Sequence, residues 1–322
     1  MRSKLHVVIG ASGGLGSAIL RQLASDGNDA RGVVHRLPGN GRPGIPESVE
    51  LVQADALDGP SMLRACEDAS VVYHTVNVPY QEWEAVMPLV TSNILSSAEA
   101  VGAKLVFPGN VYGYGRFEGT EATEGHPLGA TSRKGQLRNA LERTLMEAHH
   151  SGRVKVVVPR FPDFYGPNVT NRIFGGLFLA ALAGRKASWI GKLDVPHDLV
   201  FVEDAARASV MLAETEDAYG QAWHIPGAGP VSGRRFIETA FRAAGREPNI
   251  GVLSHNTIRL AMVVSTDARQ MSELMYEFEE PLLLDGSKFA GRFPSFRFTP
   301  HEEAIRRTVE WFETHNPGRT RS

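Results

Sequence analysis

The chain has 322 residues, 42% hydrophobic and 22% charged, with a formal net charge of −2. That length suffices for one large α/β domain or two modest ones sharing a cleft, and the near-neutral balance gives no basis for binding nucleic acid or a membrane surface. The single cysteine, Cys66, lies in an apolar helical pattern, so neither a disulfide framework nor a thiolate zinc site is available, and a reducing, cytoplasmic setting fits.

The start, MRSKLHVVIGASGG, is basic and then briefly apolar, too short for a signal-peptide core. No later apolar run approaches the roughly 18–20 residues of a membrane span. From LHVVIG (5–10) onward, short apolar runs alternate with helical periodicity. The helix in Leu15, Ile19, Leu20 and Leu23 is followed by RGVVH (31–35). Next comes PGNGRPGIPES (38–48), dense in Gly and Pro and expected to be a mobile surface loop. Then follow VELVQAD (49–55), a helix from Pro60 to Glu67, SVVYHTV (70–76), a helix over 82–101, KLVFPG (104–109), a helix over 133–149 and VKVVVPR (154–160). Runs apolar on both faces, separated by helices, predict an α/β fold: a Rossmann-type doubly wound parallel sheet.

After Gly166-Pro167 the alternation loosens. Residues 169–198 read as a helix plus a short strand, while LVFVED (199–204) and QAWHIPG (221–227) are expected to return to the first sheet. The tail is mostly helical, with Ile258, Leu260, Met262 and Val263 in one segment and an amphipathic close at 301–315. The dinucleotide-type domain is therefore placed at 1–168 plus about 199–227, and a smaller, interleaved C-terminal substrate lobe at about 169–198 and 228–322. Eleven histidines are scattered without a His-x-x-x-His or clustered-carboxylate pattern, so no metal site is expected.

IGASGGLGSAIL places Gly10, Gly13 and Gly16 between a strand and a helix. A turn this tight and a diphosphate approaching the backbone both require residues without Cβ. The helix beginning near Gly14 offers its free N–H groups to the phosphates, so Ser12, Gly13, Gly14 and Leu15 are read as the phosphate seat. About twenty residues on, where an acidic side chain would take the ribose 2′-hydroxyl, stand His35 and Arg36. A guanidinium suits a 2′-phosphate, and NADP(H) is favoured over NAD(H). The other reading of Arg36 is a solvated loop residue at an indifferent site.

With this turn, the alternation and Lys134 in place, the chain resembles, nearly end to end, the extended short-chain dehydrogenase/reductase family, also called the NAD-dependent epimerase/dehydratase family. Asp55 and Asp58 in QADALD resemble its Gly-Asp-x-x-Asp element, which implies an adenine-side loop at Asp55, Ala56 and Leu57. HTVN (74–77) stands where a segment beside the cofactor lies, implicating Thr75, Val76 and Asn77. Asn93 resembles the helix asparagine that supports the active site. NVYGYG (110–115) looks like the Val-Tyr-Gly element, RFPDFYGPN (160–168) like Arg-Pro-x-x-Val-Tyr-Gly-Pro, and LVFVEDAARA (199–208) like Phe-Val-His-Val-Asp-Asp-Val-Ala. The resemblance implies that Phe161 and Pro162 meet the nicotinamide end through backbone and that Asp163 lies near substrate.

Two departures fall on the chemistry. FPGNVYG offers Pro108, Gly109 and Asn110 where the family has Ser or Thr, and Ala130 occupies the tyrosine position four residues before Lys134. In the family the tyrosine is the acid/base, and the lysine binds the nicotinamide ribose and lowers the tyrosine pKa. This pattern looks like the atypical branch. Substitute donors are Lys134, Asn110, Tyr112 and Tyr114, the tyrosines being equally readable as loop packing. Tyr80 and Trp83 in VPYQEWE either wall a ligand pocket or anchor the core, and Asp198 and Asp204 are read as helix caps. The leading expectation is an NADP(H)-binding oxidoreductase acting on a small carbonyl or hydroxyl compound. The alternative is a non-catalytic NADP(H)-binding sensor, and third is a sugar-nucleotide epimerase or dehydratase. A small-molecule substrate is the expected partner, and the family habit implies a homodimer through helices 82–101 and 133–149.

Overall fold

The computed structural model describes residues 4–37, 44–116, 119, 121–171, 173–253 and 275–315. Strands β1 (Leu5–Ile9), β2 (Ala30–Val34), β3 (Glu50–Gln53), β4 (Ala69–His74), β5 (Lys104–Val106), β7 (Val156–Phe161) and β12 (Ala222–His224) form one sheet in the order β3-β2-β1-β4-β5-β7-β12. Every pairing in it is parallel. The two-residue β6 (Gly109–Asn110) adds to β7.

Strand residues alternate between two cores, which is why their sequences are apolar throughout. Val7, Ile9, Val72, Val156 and Val158 face the layer of α2 (Gly59–Ala65), α3 (Trp83–Val101) and α4 (Arg133–His150), among Met62, Ile94, Leu141 and Leu145. Val8, Val71, Tyr73 and Val157 face the layer of α1 (Gly14–Ser25) and α6 (Val202–Ala213). Each such side chain contributes about 1.5–3 kcal/mol on full burial. Both faces are covered, as a parallel sheet requires.

The remaining core is aromatic: Tyr165, Phe174, Phe178, Trp189, Phe236, Phe278 and Phe312 pack together. They come from β8 (Asp163–Tyr165), α5 (Phe174–Leu182), β9 (Ala187–Ile190), α7 (Gly233–Ala243), the short helix α8 (Tyr276–Glu279) and α10 (His301–Thr314). In this region β9 pairs with β14 (Ile250–Leu253), and β10 (Pro196–His197) with β13 (Val231–Ser232). The chain's last short helix before α10 is α9 (Ser287–Arg292).

QAWHIPG returns to the main sheet as β12. LVFVED does not. Its first residues, β11 (Leu199–Phe201), pair with β8 in a separate two-stranded ladder, and its last three begin α6. The chain between β11 and β12 therefore crosses the α1 face, where Val202, Ala205 and Leu212 join the second of these cores. Asp198 and Asp204 do not cap α6, whose N-cap is Phe201. Asp198 Oδ2 accepts from Leu284 N at 2.7 Å, and Asp204 accepts from Thr299 N at 2.7 Å and Thr299 Oγ1 at 2.9 Å. Both carboxylates hold distant carboxy-terminal segments, contacts that sequence spacing does not report. The segment with Ile258, Leu260, Met262 and Val263, and residues 38–43 of the Gly/Pro-rich stretch, lie outside the described residues.

A buried ionic network joins four parts of the fold. Arg160 on β7 pairs with Glu142 on α4 and donates to Tyr114, whose hydroxyl also bonds His224 on β12. Removing the cation leaves a carboxylate enclosed without its partner. Arg160→Met is therefore expected to lower unfolding stability by roughly 3–5 kcal/mol, read as a lowered urea midpoint.

Candidate active site

The turn after β1 is set by two glycines that the fold itself demands. Gly10 has φ +91°, and a Cβ there would stand 2.7 Å from the Thr75 carbonyl carbon. A Cβ on Gly16 would lie 2.4 Å from the Gly10 oxygen and 2.7 Å from Thr75 Oγ1. Thr75 in turn sends its N–H and its hydroxyl to the Ile9 carbonyl at 2.9 and 2.8 Å. Gly13 differs: φ is −75°, and the nearest atom to its missing Cβ is the Gly10 oxygen, 3.4 Å away. Nothing within the chain requires glycine there. Gly13 is also the N-cap of α1, no side chain caps that helix, and no acidic residue stands in its first turn. The open space and the uncapped positive end fit a diphosphate.

Around this seat the predicted residues gather. Ser12 is exposed, Gly14 and Leu15 are partly covered, and His35 and Arg36 are exposed just past β2. Asp55 Oδ1 accepts from Leu57 N at 2.9 Å, making a tight turn that presents Leu57, 46% exposed, as an apolar platform. Asn93 donates to the Ala56 carbonyl at 3.0 Å, so it braces this loop. Sequence reading missed Asn168, whose Nδ2 donates to Ser12 O at 3.0 Å and Ser17 Oγ at 3.1 Å. Its position after Gly166-Pro167, with φ +62°, was the available hint.

The other end of the site is built where α4 starts. Ser132 caps the helix, its Oγ accepting from Gly135 N at 3.2 Å. Gly135 lets the first turn press against the loop, since a Cβ there would meet Tyr112 O at 2.3 Å and the Ala130 methyl at 2.4 Å. Lys134 is thereby turned inward and only 4% exposed. Its Nζ lies 5.3 Å from the centroid of the Tyr80 ring, above its face.

Tyr80, in a 3-10 turn leading into α3, shares a hydrogen bond of 2.8 Å with the Tyr112 hydroxyl. Trp83 is buried edge-on to Tyr80, and its Nε1 donates to Asn77 Oδ1 and Val78 O at 3.0 Å each. It is both wall and anchor. Arg138, one helical turn beyond Lys134, stacks at 4.6 Å from the Phe107 ring centroid and donates to the Pro108 carbonyl. Its role was missed, although i and i+4 share a helix face. Burial lowers its guanidinium to about 10. Burial also holds both phenols, Tyr80 and Tyr112, well above their ordinary range.

Asn110 turns back on its own loop, its Oδ1 accepting from Tyr112 N at 3.2 Å. Tyr114 is committed elsewhere, to Arg160 and His224. Phe161 is fully buried in the core and Pro162 is buried beside it in the chain. Asn110 lies opposite Phe161 in the β6–β7 register, and Asp163 opens β8 two residues after Phe161. Burial alone raises the Asp163 carboxyl to about 6. Glu277 on α8, which sequence reading did not single out, is 3% exposed and its Oε1 has no hydrogen-bonding partner. Among the described residues, no cluster of His, Cys, Asp and Glu has the makings of a metal site, and no helix is long and apolar enough to cross a membrane.

Comparison with known proteins agrees with this layout. The model of the NAD dependent epimerase/dehydratase family matches residues 6–225. The chain is 23% identical over 254 residues to dTDP-6-deoxy-L-talose 4-dehydrogenase (NAD(P)(+)) of Kitasatospora kifunensis, covering 74% of this chain and 78% of that protein. Among solved structures, it is similar to the Bordetella bronchiseptica enzyme WbmH in complex with NAD+, with a TM-score of 0.76 and 21% identity over 97% of this chain and 99% of that one. It is also similar to the Bacillus cereus UDP-glucuronic acid 4-epimerase in complex with NAD, with a TM-score of 0.78 and 18% identity over 96% and 99%.

The contrast between the glycines can be tested. Gly13→Ala is expected to cost about 1 kcal/mol of stability or less while weakening pyridine-dinucleotide binding at least tenfold, a change of about 1.4 kcal/mol. Gly16→Ala is expected to lose about 1–3 kcal/mol of stability even without ligand. Thermal denaturation and titration calorimetry read the two effects separately.

Proposed function

The chain belongs to the NAD-dependent epimerase/dehydratase family of enzymes, and from that premise we propose that it transfers hydride between NADP(H) and a small carbonyl or hydroxyl compound. One observation supports this reading: the chain itself makes no demand for glycine at Gly13, which leaves the uncapped α1 N-terminus open after β1, and the buried Lys134 begins α4, which precedes β7 of the same parallel sheet. NADP(H) is preferred to NAD(H) because Arg36, exposed past β2, offers a bidentate grip on a 2′-phosphate. The coenzyme, when bound, supplies or accepts the hydride. The chain's own residues do the rest. The α1 N-terminus would hold the diphosphate, the Asp55–Leu57 turn would meet the adenine, and Lys134 would hold the nicotinamide ribose. Its charge favours oxygen becoming negative nearby. The Tyr80–Tyr112 pair keeps a phenolic O–H in place at neutral pH, because burial holds both phenols protonated.

The names of the similar proteins favour a deoxysugar or sugar-nucleotide substrate, by dehydrogenation or epimerisation at a ring hydroxyl. A second reading, a non-catalytic NADP(H) sensor, draws support from Ala130 and Pro108 standing where the family keeps its tyrosine and its serine or threonine.

Stopped-flow absorbance at the reduced-nicotinamide band, with a panel of ketones and keto-sugars, checks the enzyme reading. Turnover is expected, with Lys134→Met reducing it by about 100-fold or more and Arg36→Ala weakening NADPH but not NADH. An inert panel despite tight NADPH binding decides for the sensor.

A further inference from the structure

Position 130 carries no phenol, yet two phenols reach the same corner of the site from other parts of the chain. The Ala130 methyl and the Tyr112 carbonyl oxygen lie 2.4 and 2.3 Å from the point a Gly135 Cβ would take, and Ala130 N donates to the Gly113 carbonyl at 3.2 Å. The loop bearing Tyr112 therefore lies against the place where the family's tyrosine would begin. Tyr80, in the turn before α3, meets the Tyr112 hydroxyl at 2.8 Å. The Nζ of Lys134, four residues after position 130, stands 5.3 Å from the Tyr80 ring centroid.

The two phenols are not equivalent. Tyr112 is 7% exposed; its N–H donates to Asn110 Oδ1, its carbonyl is pressed by Gly135, and its ring packs 6.2 Å from Trp83. Among the described residues its hydroxyl has one hydrogen-bonding partner, the Tyr80 oxygen. Tyr80 is partly exposed, its ring held edge-on at 5.0 Å by Trp83, which is itself fixed by bonds to Asn77 and Val78. If Tyr80 gave its proton to this bond, the Tyr112 O–H would be enclosed with no acceptor, the costlier arrangement. Donation by Tyr112 satisfies the enclosed hydroxyl and leaves the Tyr80 O–H free.

We propose that Tyr80 is the proton donor of this active site in place of the phenol missing at position 130, and that Tyr112 is a positioning residue that donates to the Tyr80 oxygen and turns the Tyr80 O–H toward a substrate carbonyl. The assignment rests on the oxidoreductase reading above and gives it a direction, the reduction of a ketone or aldehyde with NADPH. As hydride reaches the carbonyl carbon, a C–H bond forms and the C=O π pair moves to oxygen. That oxygen takes the Tyr80 proton, the phenol O–H bond breaks, and its electron pair stays on the phenolate. The substrate gains the two electrons that the reduced nicotinamide loses, and water returns a proton to Tyr80 once the product leaves. The charge left on Tyr80 spreads into a ring facing the Lys134 ammonium, while the Tyr112 hydrogen bond holds its oxygen. Burial keeps both phenols protonated beforehand, so the pair is ready to give a proton and not to take one.

The test joins turnover to a readout that needs neither coenzyme nor substrate. With saturating NADPH and the fastest carbonyl compound of the panel above, Tyr80→Phe should lower kcat about 100-fold or more, with NADPH affinity within about twofold. Tyr112→Phe should lower kcat about tenfold, and the double variant should be no slower than Tyr80→Phe, because Tyr112 acts through Tyr80. An undiminished rate in Tyr80→Phe, or losses that multiply in the double variant, overturns the assignment. In the coenzyme-free protein, 3-chlorotyrosine in place of Tyr80 reports its own ionisation by absorbance. Tyr112→Phe should raise that pKa by about one unit or more, a tenfold loss of acidity, and no shift overturns the positioning role. The other groups facing Tyr80 are Lys134 and Arg138 on α4, Asp163 on β8 and Glu277 on α8, and all are present in both proteins. If no carbonyl compound turns over although NADPH binds, the oxidoreductase reading fails and the donor role with it, whereas turnover retained in Tyr80→Phe overturns the donor role alone.

Discussion

The site depends on one close approach: the first turn of α1 lies directly against the ends of β1 and β4. Gly16 meets the Gly10 carbonyl and Thr75, and Thr75 returns two hydrogen bonds to Ile9. A single methyl at position 16 would separate helix from sheet, because its nearest neighbour is the Gly10 carbonyl, backbone that cannot rotate aside. With the helix pinned there, its uncapped end is aimed across the strand ends, and the Gly13 position stays open to a ligand. Asn168 fastens the loop from the far side, making one rigid unit of the turn and the segment after β8.

The second end of the crevice uses the same device. Gly135 brings α4 onto the Tyr112 carbonyl, and that contact turns Lys134 inward among Tyr80, Tyr112 and Trp83. The surroundings are aromatic and poor in water, so charge there acts at short range with little screening. Arg138 is held by stacking and by the Pro108 carbonyl, and its cation lies deep in the wall. Burial penalises the charged form of every such group, lowering the Arg138 guanidinium and raising the carboxyls of Asp163 and Glu277.

How much of this was legible depended on the range of the interaction. Strand and helix order came through because burial on both faces leaves an uninterrupted apolar run in every central strand, as in LHVVI and VVVPRF. The glycine turn came through because its constraint is local: four glycines within seven residues, after a strand and before a helix. The readings of LVFVED as a main-sheet strand and of Asp198 and Asp204 as caps were overturned. Their partners, β8, Leu284 and Thr299, are distant in sequence. Tyr114 looked like a neighbour of Tyr112 by spacing, yet its hydroxyl is taken by Arg160 and His224.

By itself, then, the sequence determined the layer architecture and the glycine turn between the first strand and the first helix, because each of these is written within a few consecutive residues or in a period along the chain. Only the tertiary structure decided which polar groups share the site. Whether a carboxyl keeps its proton, or a tyrosine is a donor or a strut, depends on desolvation and on partners brought from β8, α4 and α8, and those encounters exist only once the chain has packed.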